Sequence, residues 1–242
     1  MKIVFVGLIV ASISSNCLAE ESIDLPSVKA GDTWTYRNTT ERGPTGWNQI
    51  HDEITVARVT SSNIYYTSKQ SGSTQPPREI IVGADWSRMR DVNGKETVVN
   101  QPLLFPLSPG ETWEVTFTEQ HPNKNHKLER WDNKFTAVNF EMVEVPAGKF
   151  NALKIEAEGR WAAEMEPTLK IAQGSQFTSN DTTMVTRVQR PTANTVTGRI
   201  YKAFWYVPEV KRWVKSVEEY YGNGGVRNER YMAELESFKL TD

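Results

Sequence analysis

Residues 112–118 read Thr-Trp-Glu-Val-Thr-Phe-Thr, so Trp113, Val115 and Phe117 alternate with Glu114, Thr116 and Thr118. A period of two puts the apolar side chains on one face of an extended chain and the polar ones on the other, the pattern of a half-buried strand. The same alternation recurs along the chain. Trp34 and Tyr36 share a face opposite Thr33, Thr35 and Arg37; Ile54 and Val56 repeat the pattern within 53–58, and Ile64, Tyr65 and Tyr66 bring a short strand within 63–68. Leu153, Ile155 and Ala157 alternate against Lys154, Glu156 and Glu158, and further strands are expected around 184–188, 201–207, 213–220 and 231–240.

Turn residues punctuate these runs. Asn93-Gly94, between Met89 and Val98, fits a two-residue hairpin turn that needs positive φ at both central positions. Pro146-Ala147-Gly148 and the Gly222–Gly225 stretch make two more turns. Val138, Phe140 and Met142 share one face, but Val143 and Val145 change parity, which places a bulge or bend there. Only Ala162–Ala172 has helical spacing, and Pro167 interrupts it. Ser68–Arg78, Gln173–Thr183 and His121–His126 read as loops. The expected fold is all-β: an antiparallel curved sheet, half-barrel or two-sheet sandwich with little helix.

Lys29-Ala-Gly-Asp-Thr-Trp-Thr35 and Ser108-Pro-Gly-Glu-Thr-Trp-Glu114 match at Gly, acid, Thr and Trp. In each copy Gly permits the turn into a strand and Trp is the first large inward residue. The echo is either a coincidence of two strand starts or a duplication giving related halves, 25–100 and 101–242, within one β-rich domain spanning 20–242.

The stretches VPAGKFNALKIEAEG (145–159) and FWYVPEVKRWVKSVE (204–218), with Gly110 and Trp113 before them, resemble the TapB-like group of exported bacterial proteins built on a domain of unknown function (3108-like). The shared features are a Gly-x-x-Trp strand opening, a Pro-Ala-Gly-x-Phe turn, and a Trp-Tyr-x-Pro turn leading to Val214 and Lys215. The resemblance implies an envelope location and a β-rich fold, and it implies no reaction. One feature departs from the family: glycines follow Trp-Tyr-x-Pro there, whereas Glu209 and Lys211 stand here, and a non-Gly residue disfavours positive φ.

Lys2, the apolar run Ile3–Ile13, and Cys17-Leu18-Ala19 before Glu20 and Glu21 form a secretory signal with cleavage expected after Ala19. Lipidation of Cys17 is the competing account, but Asn16 stands where Gly, Ala or Ser normally precedes an acylated cysteine. Cleavage leaves 223 residues without cysteine and, with Lys2 lost, moves the net charge from −2 to −3. No disulfide or thiol chemistry remains, and the acidic balance argues against a nucleic-acid partner. No later segment reads as a transmembrane span. The location expected is the periplasm or the exterior.

No Gly-x-Ser-x-Gly, Ser-x-x-Lys, His-Glu-x-x-His or phosphate- or dinucleotide-binding fingerprint occurs. No cofactor is expected, and no catalytic residue is assigned. His121 and His126 with Glu119, Glu129 or Asp132 match no familiar metal spacing and read as polar loop. Glu141, Glu156 and Glu158 are the one carboxylate group a hydrolase of envelope polymers could use, yet they oppose the apolar face of their strands.

The aromatic excess is more informative. Phe204, Trp205 and Tyr206 in succession put rings on both faces of one strand, so one ring must leave the core of a sheet covered on one side. Trp47, Trp86, Trp131 and Trp161 sit near strand ends. The ligand-binding residues expected are Phe204, Trp205, Tyr206 and Trp161, on a concave aromatic-lined face. The function expected is non-catalytic binding of an apolar small molecule or envelope-derived ligand. The alternative is an assembly or surface-appendage factor contacting another envelope protein through a strand edge.

Overall fold

The computed structural model describes residues 22–43, 46–166, 171–178, 181–188 and 194–242. The expected export signal and cleavage site fall outside these described residues. Fourteen strands are described: β1 (Thr33–Arg42), β2 (Gly46–Val59), β3 (Asn63–Gln70), β4 (Arg78–Gly83), β5 (Arg88–Val92), β6 (Lys95–Asn100), β7 (Thr112–Asn123), β8 (His126–Val145), β9 (Gly148–Met165), β10 (Ile171–Thr178), β11 (Asp181–Val188), β12 (Thr195–Val207), β13 (Arg212–Tyr221) and β14 (Arg227–Lys239). Among the described residues the one helical element is the 3-10 turn Pro208–Val210.

Ten strands form one antiparallel sheet in the order β4-β3-β2-β1-β14-β13-β12-β9-β8-β7. From β7 this is a meander to β14, which pairs with β1 and continues to β4. The edges β4 and β7 do not pair, so the sheet is an open curved structure rather than a closed barrel. The chain crosses from one edge to the other through residues 84–111, which carry the β5–β6 hairpin.

This crossing segment seals the inner face. Trp86, Leu103 and Leu107 are buried among Trp34, Tyr66, Ile155 and Tyr206 from the sheet. The Trp86 ring meets Trp34 of β1 edge-on at 5.5 Å, Trp213 of β13 at 6.2 Å and Tyr66 of β3 at 6.1 Å. One indole thus ties three strands together. The expected open concave face is therefore filled by the protein's own side chains, because a curved sheet of this width leaves an apolar surface that must be covered.

The residues predicted to face inward do so: Trp34, Tyr36, Val56, Trp113, Val115, Leu153, Ile155 and Ala157 are all buried. The Asn93-Gly94 turn has φ of 56° and 81°, as a two-residue hairpin turn requires. The Trp-strand echo is a shared geometry. Gly31 and Gly110 have φ of 92° and 87° and donate to Val56 and Ala137, while the Asp32 and Glu111 side chains accept from the N–H groups of Lys29 and Ser108.

Three expectations are corrected. Ala162–Met165 continues β9, and Ile171–Ala172 begins β10, so the stretch with helical spacing is strand wherever it is described. Gln173–Thr183, expected as a loop, lies mostly in the β10–β11 hairpin, with Ile171 opposite Val188 and Thr178 opposite Asp181. The register shift of β8 against β9 falls between Ala137 and Phe140, ahead of the Val143–Val145 parity change.

The turn at Lys211 is also resolved. Lys211 adopts φ 60° without being glycine, its N–H bonds to Pro208 O at 2.9 Å, and its Nζ reaches the fully buried Asp32 carboxylate at 3.0 Å. That ion pair offsets the cost of left-handed backbone.

Candidate functional site

Sheet register assembles the site from four strands. On the inner face, Phe117 of β7, Trp131 of β8, Trp161 of β9 and Gly198 of β12 lie opposite one another in a row. Phe117 and Trp131 stack at 6.0 Å and 12°, and Trp131 and Trp161 at 6.3 Å and 27°. The row ends on glycine for a reason of space. A Cβ at 198 would stand 2.2 Å from Trp161 Nε1 and 2.3 Å from the backbone oxygen of Tyr221, so the indole lies directly against the Gly198 backbone.

The adjacent row, on the outer face, is Asp132–Arg160–Arg199–Tyr221 across β8, β9, β12 and β13. The Arg199 guanidinium covers the Tyr221 ring at 4.6 Å, and the Tyr221 hydroxyl donates to Glu219 at 2.6 Å, which raises its pKa. Around these residues opens a groove of about 680 Å³ lined by Arg130, Arg160, Trp161, Gly198, Arg199 and Tyr221 among others.

The four ring residues singled out in the sequence do not form one surface. Phe204 and Tyr206 point inward and are buried: Phe204 meets Trp213 edge-on at 5.4 Å, and Tyr206 meets Phe105 at 5.7 Å. Burial raises the Tyr206 pKa. Trp205 is the ring that leaves the core. Its Nε1 donates to Glu141 at 2.6 Å, with the Lys154 and Lys215 ammonium groups 5.5 and 5.6 Å from the ring. Trp161 pairs with Gly198 and Trp205 with Lys154, seven positions further along β9, or about 23 Å at strand rise. Of the four, only Trp161 lines the groove.

The carboxylates of a hydrolase reading face outward without a cleft. Glu156 is held by Lys154 at 2.7 Å and by the Tyr201 hydroxyl at 2.7 Å, and Glu158 is exposed. The Lys154 hydrogen bond, against the opposing effect of burial, leaves the Glu156 pKa below its usual value, the wrong direction for a general acid. The histidines are parcelled into separate pairs, His121 with Glu166 at 2.8 Å and His126 with Glu129, while Glu119 grips Arg90 at 2.6 Å.

A second groove, about 770 Å³, opens near Ser22 and Ile23 and is bordered by Phe140, Phe150 and Phe238. Phe150 closes the Pro-Ala-Gly-x-Phe turn and Phe140 belongs to an alternating run, and their convergence here follows from the sheet register rather than from either motif.

No family model and no curated protein matches the chain, so the TapB-like resemblance has no matching model behind it. Two solved structures are similar. One is a candidate exported protein with a YmcC-like fold from Bacteroides fragilis, at 16% identity and TM-score 0.41, covering 90% of this chain and 99% of that one. The other is a candidate lipoprotein from Parabacteroides distasonis, at 13% identity and TM-score 0.46, covering 91% and 100%. Neither likeness is close enough to carry an activity or a site to this chain.

Proposed function

We propose that the chain is an exported, non-catalytic binding protein of the cell envelope, and that its ligand lies in the groove at Trp161 and Tyr221. Export rests on the residue 1–19 signal. The observation that carries the binding site is the division of the aromatic surface: residues 84–111 fill the inner face around Trp34, Tyr66 and Tyr206, whereas Trp161, further along β9, borders an open groove. The Trp161 groove is also where Gly198 admits a close-lying indole and where two arginines stand directly opposite each other without a carboxylate partner among the described residues.

Titrating the mature protein with the uncharged solvatochromic dye Nile red tests this reading. Saturable binding that Trp161→Ala reduces at least fivefold and Trp205→Ala leaves unchanged is expected. Binding that ignores Trp161→Ala refutes it.

A second reading, contact with another envelope protein through a strand edge, has one supporting observation. The β7 edge is occupied, because Asn93 Nδ2 donates to Thr118 O and Asn93 Oδ1 accepts from the Gln120 N–H, both at 2.8 Å. The six-residue β4, with Ile81 53% exposed, is the edge that remains. Co-purification of a partner lost on Ile81→Lys would favour it over ligand binding.

A further inference from the structure

The outer face of the sheet is a field of matched charges. Lys154 sits on Glu156; Arg37 and Lys215 share Glu234; Arg227 and Arg230 are both bridged by Glu41 and Glu219. The Trp161 groove departs from this pattern. Arg160 and Arg199 are directly opposite on β9 and β12, so their side chains leave the same face from Cβ atoms about 5 Å apart. Among the described residues neither has a carboxylate within ion-pair distance. Asp132, opposite Arg160, makes no ion pair with it, and the third guanidinium of the groove, Arg130, is held by Glu164 at 3.3 Å. Like charges placed directly opposite destabilise an antiparallel pair. A chain of net charge −2 has concentrated positive charge where its own pairing gains nothing from it.

We infer that Arg160 and Arg199 form an anion clamp on the outer face, and that the ligand of this groove carries a carboxylate or phosphate group. Two guanidinium forks suit the oxygens of either group, and that of Arg199 is held over the Tyr221 ring. This inference rests on the binding reading above and names the chemistry of that ligand.

Isothermal titration of the full mature chain with glycerol 3-phosphate and with glucuronate tests it, with glycerol and glucose as uncharged counterparts. At least one anion should bind, its affinity should fall as salt rises, and the Arg160→Gln/Arg199→Gln double variant should weaken it tenfold or more. The phosphate and carboxylate arms show which group is preferred. Freed of like-charge repulsion, the double variant should melt no lower than the wild type. Absence of anion binding, equal binding by the double variant, or a lower melting temperature overturns the clamp. Persistence of Nile red binding in that event leaves the binding reading standing, and its loss in Trp161→Ala is read separately.

Discussion

Gly198→Ala is the substitution that most sharply probes the local architecture. Gly198 is not in the left-handed region, so the glycine serves space rather than backbone conformation. Its added methyl would meet Trp161 Nε1 at 2.2 Å and the Tyr221 backbone oxygen at 2.3 Å. The indole could swing away, but the backbone oxygen belongs to β13 and cannot move without disturbing the sheet. Alanine in place of strand glycine ordinarily gains about 0.5–1 kcal/mol from lower unfolded-state entropy. Overpacking of this kind costs about 1–3 kcal/mol. From the centres of these ranges the net loss is about 1 kcal/mol, or roughly 2–4 °C in melting temperature for a domain of this size. Circular dichroism melts of the mature chain would read it, with Gly224→Ala as control, since a Cβ there meets nothing within 4 Å. A Gly198→Ala protein that melts with the wild type refutes the close approach of Trp161 to β12.

Three further outcomes follow from the packing. Asp32 is fully buried and accepts from the Lys29 and Thr241 N–H groups and from Lys211, so Asp32→Ala should cost about 3–5 kcal/mol in denaturant unfolding, as for a broken buried pair. Burial alone would raise its pKa, but the Thr241, Lys29 and Lys211 donors together pull it below the ordinary 3.8; its stabilisation is complete above that value and lost as pH falls through the lower folded value. Acid unfolding below pH 3.8 should accordingly be less steep in Asp32→Asn. Arg212 is buried among five rings, 4.2 Å from Trp86 and 4.5 Å from Trp213, with Nε and Nη1 unpartnered. Arg212→Met should stay within about 1 kcal/mol of wild type while Arg212→Ala, which leaves a hole among the rings, loses about 2–4 kcal/mol; equal losses would contradict this. Asn93→Gly keeps the turn but removes the side chain that occupies the β7 edge, and light scattering should show greater self-association than for the wild type.

Much of the sheet could be read directly from the residues, because alternation is a local signal and Trp34, Trp113 and Leu153 declare their inward face within a few positions. The Phe204–Tyr206 triplet also resolved as strand geometry demands, with Trp205 turned outward. What escaped were features without local period. Gln173–Thr183 has no apolar alternation, and a polar hairpin is then indistinguishable from a loop by composition. Trp86, Leu103 and Leu107 are isolated apolar residues in a crossing segment, and their common burial exists only once the sheet curves around them. The Arg160–Arg199 clamp was invisible for a related reason: the two residues are 39 positions apart, and only strand register makes them neighbours. The one available hint was Gly198, a lone glycine inside a strand, which marks close approach of another group.

The central claim is that this chain binds an acidic ligand on the groove between β9 and β12 and not on the stretch of inner face that residues 84–111 seal. Titration with glucuronate and glycerol 3-phosphate, followed by two-dimensional 15N NMR, tests it most directly. The account predicts shifts concentrated at the Trp161 indole, Gly198, and the side chains of Arg160 and Arg199. Shifts centred on Phe140, Phe150 and Phe238, or on the residues that seal the inner face, would contradict it.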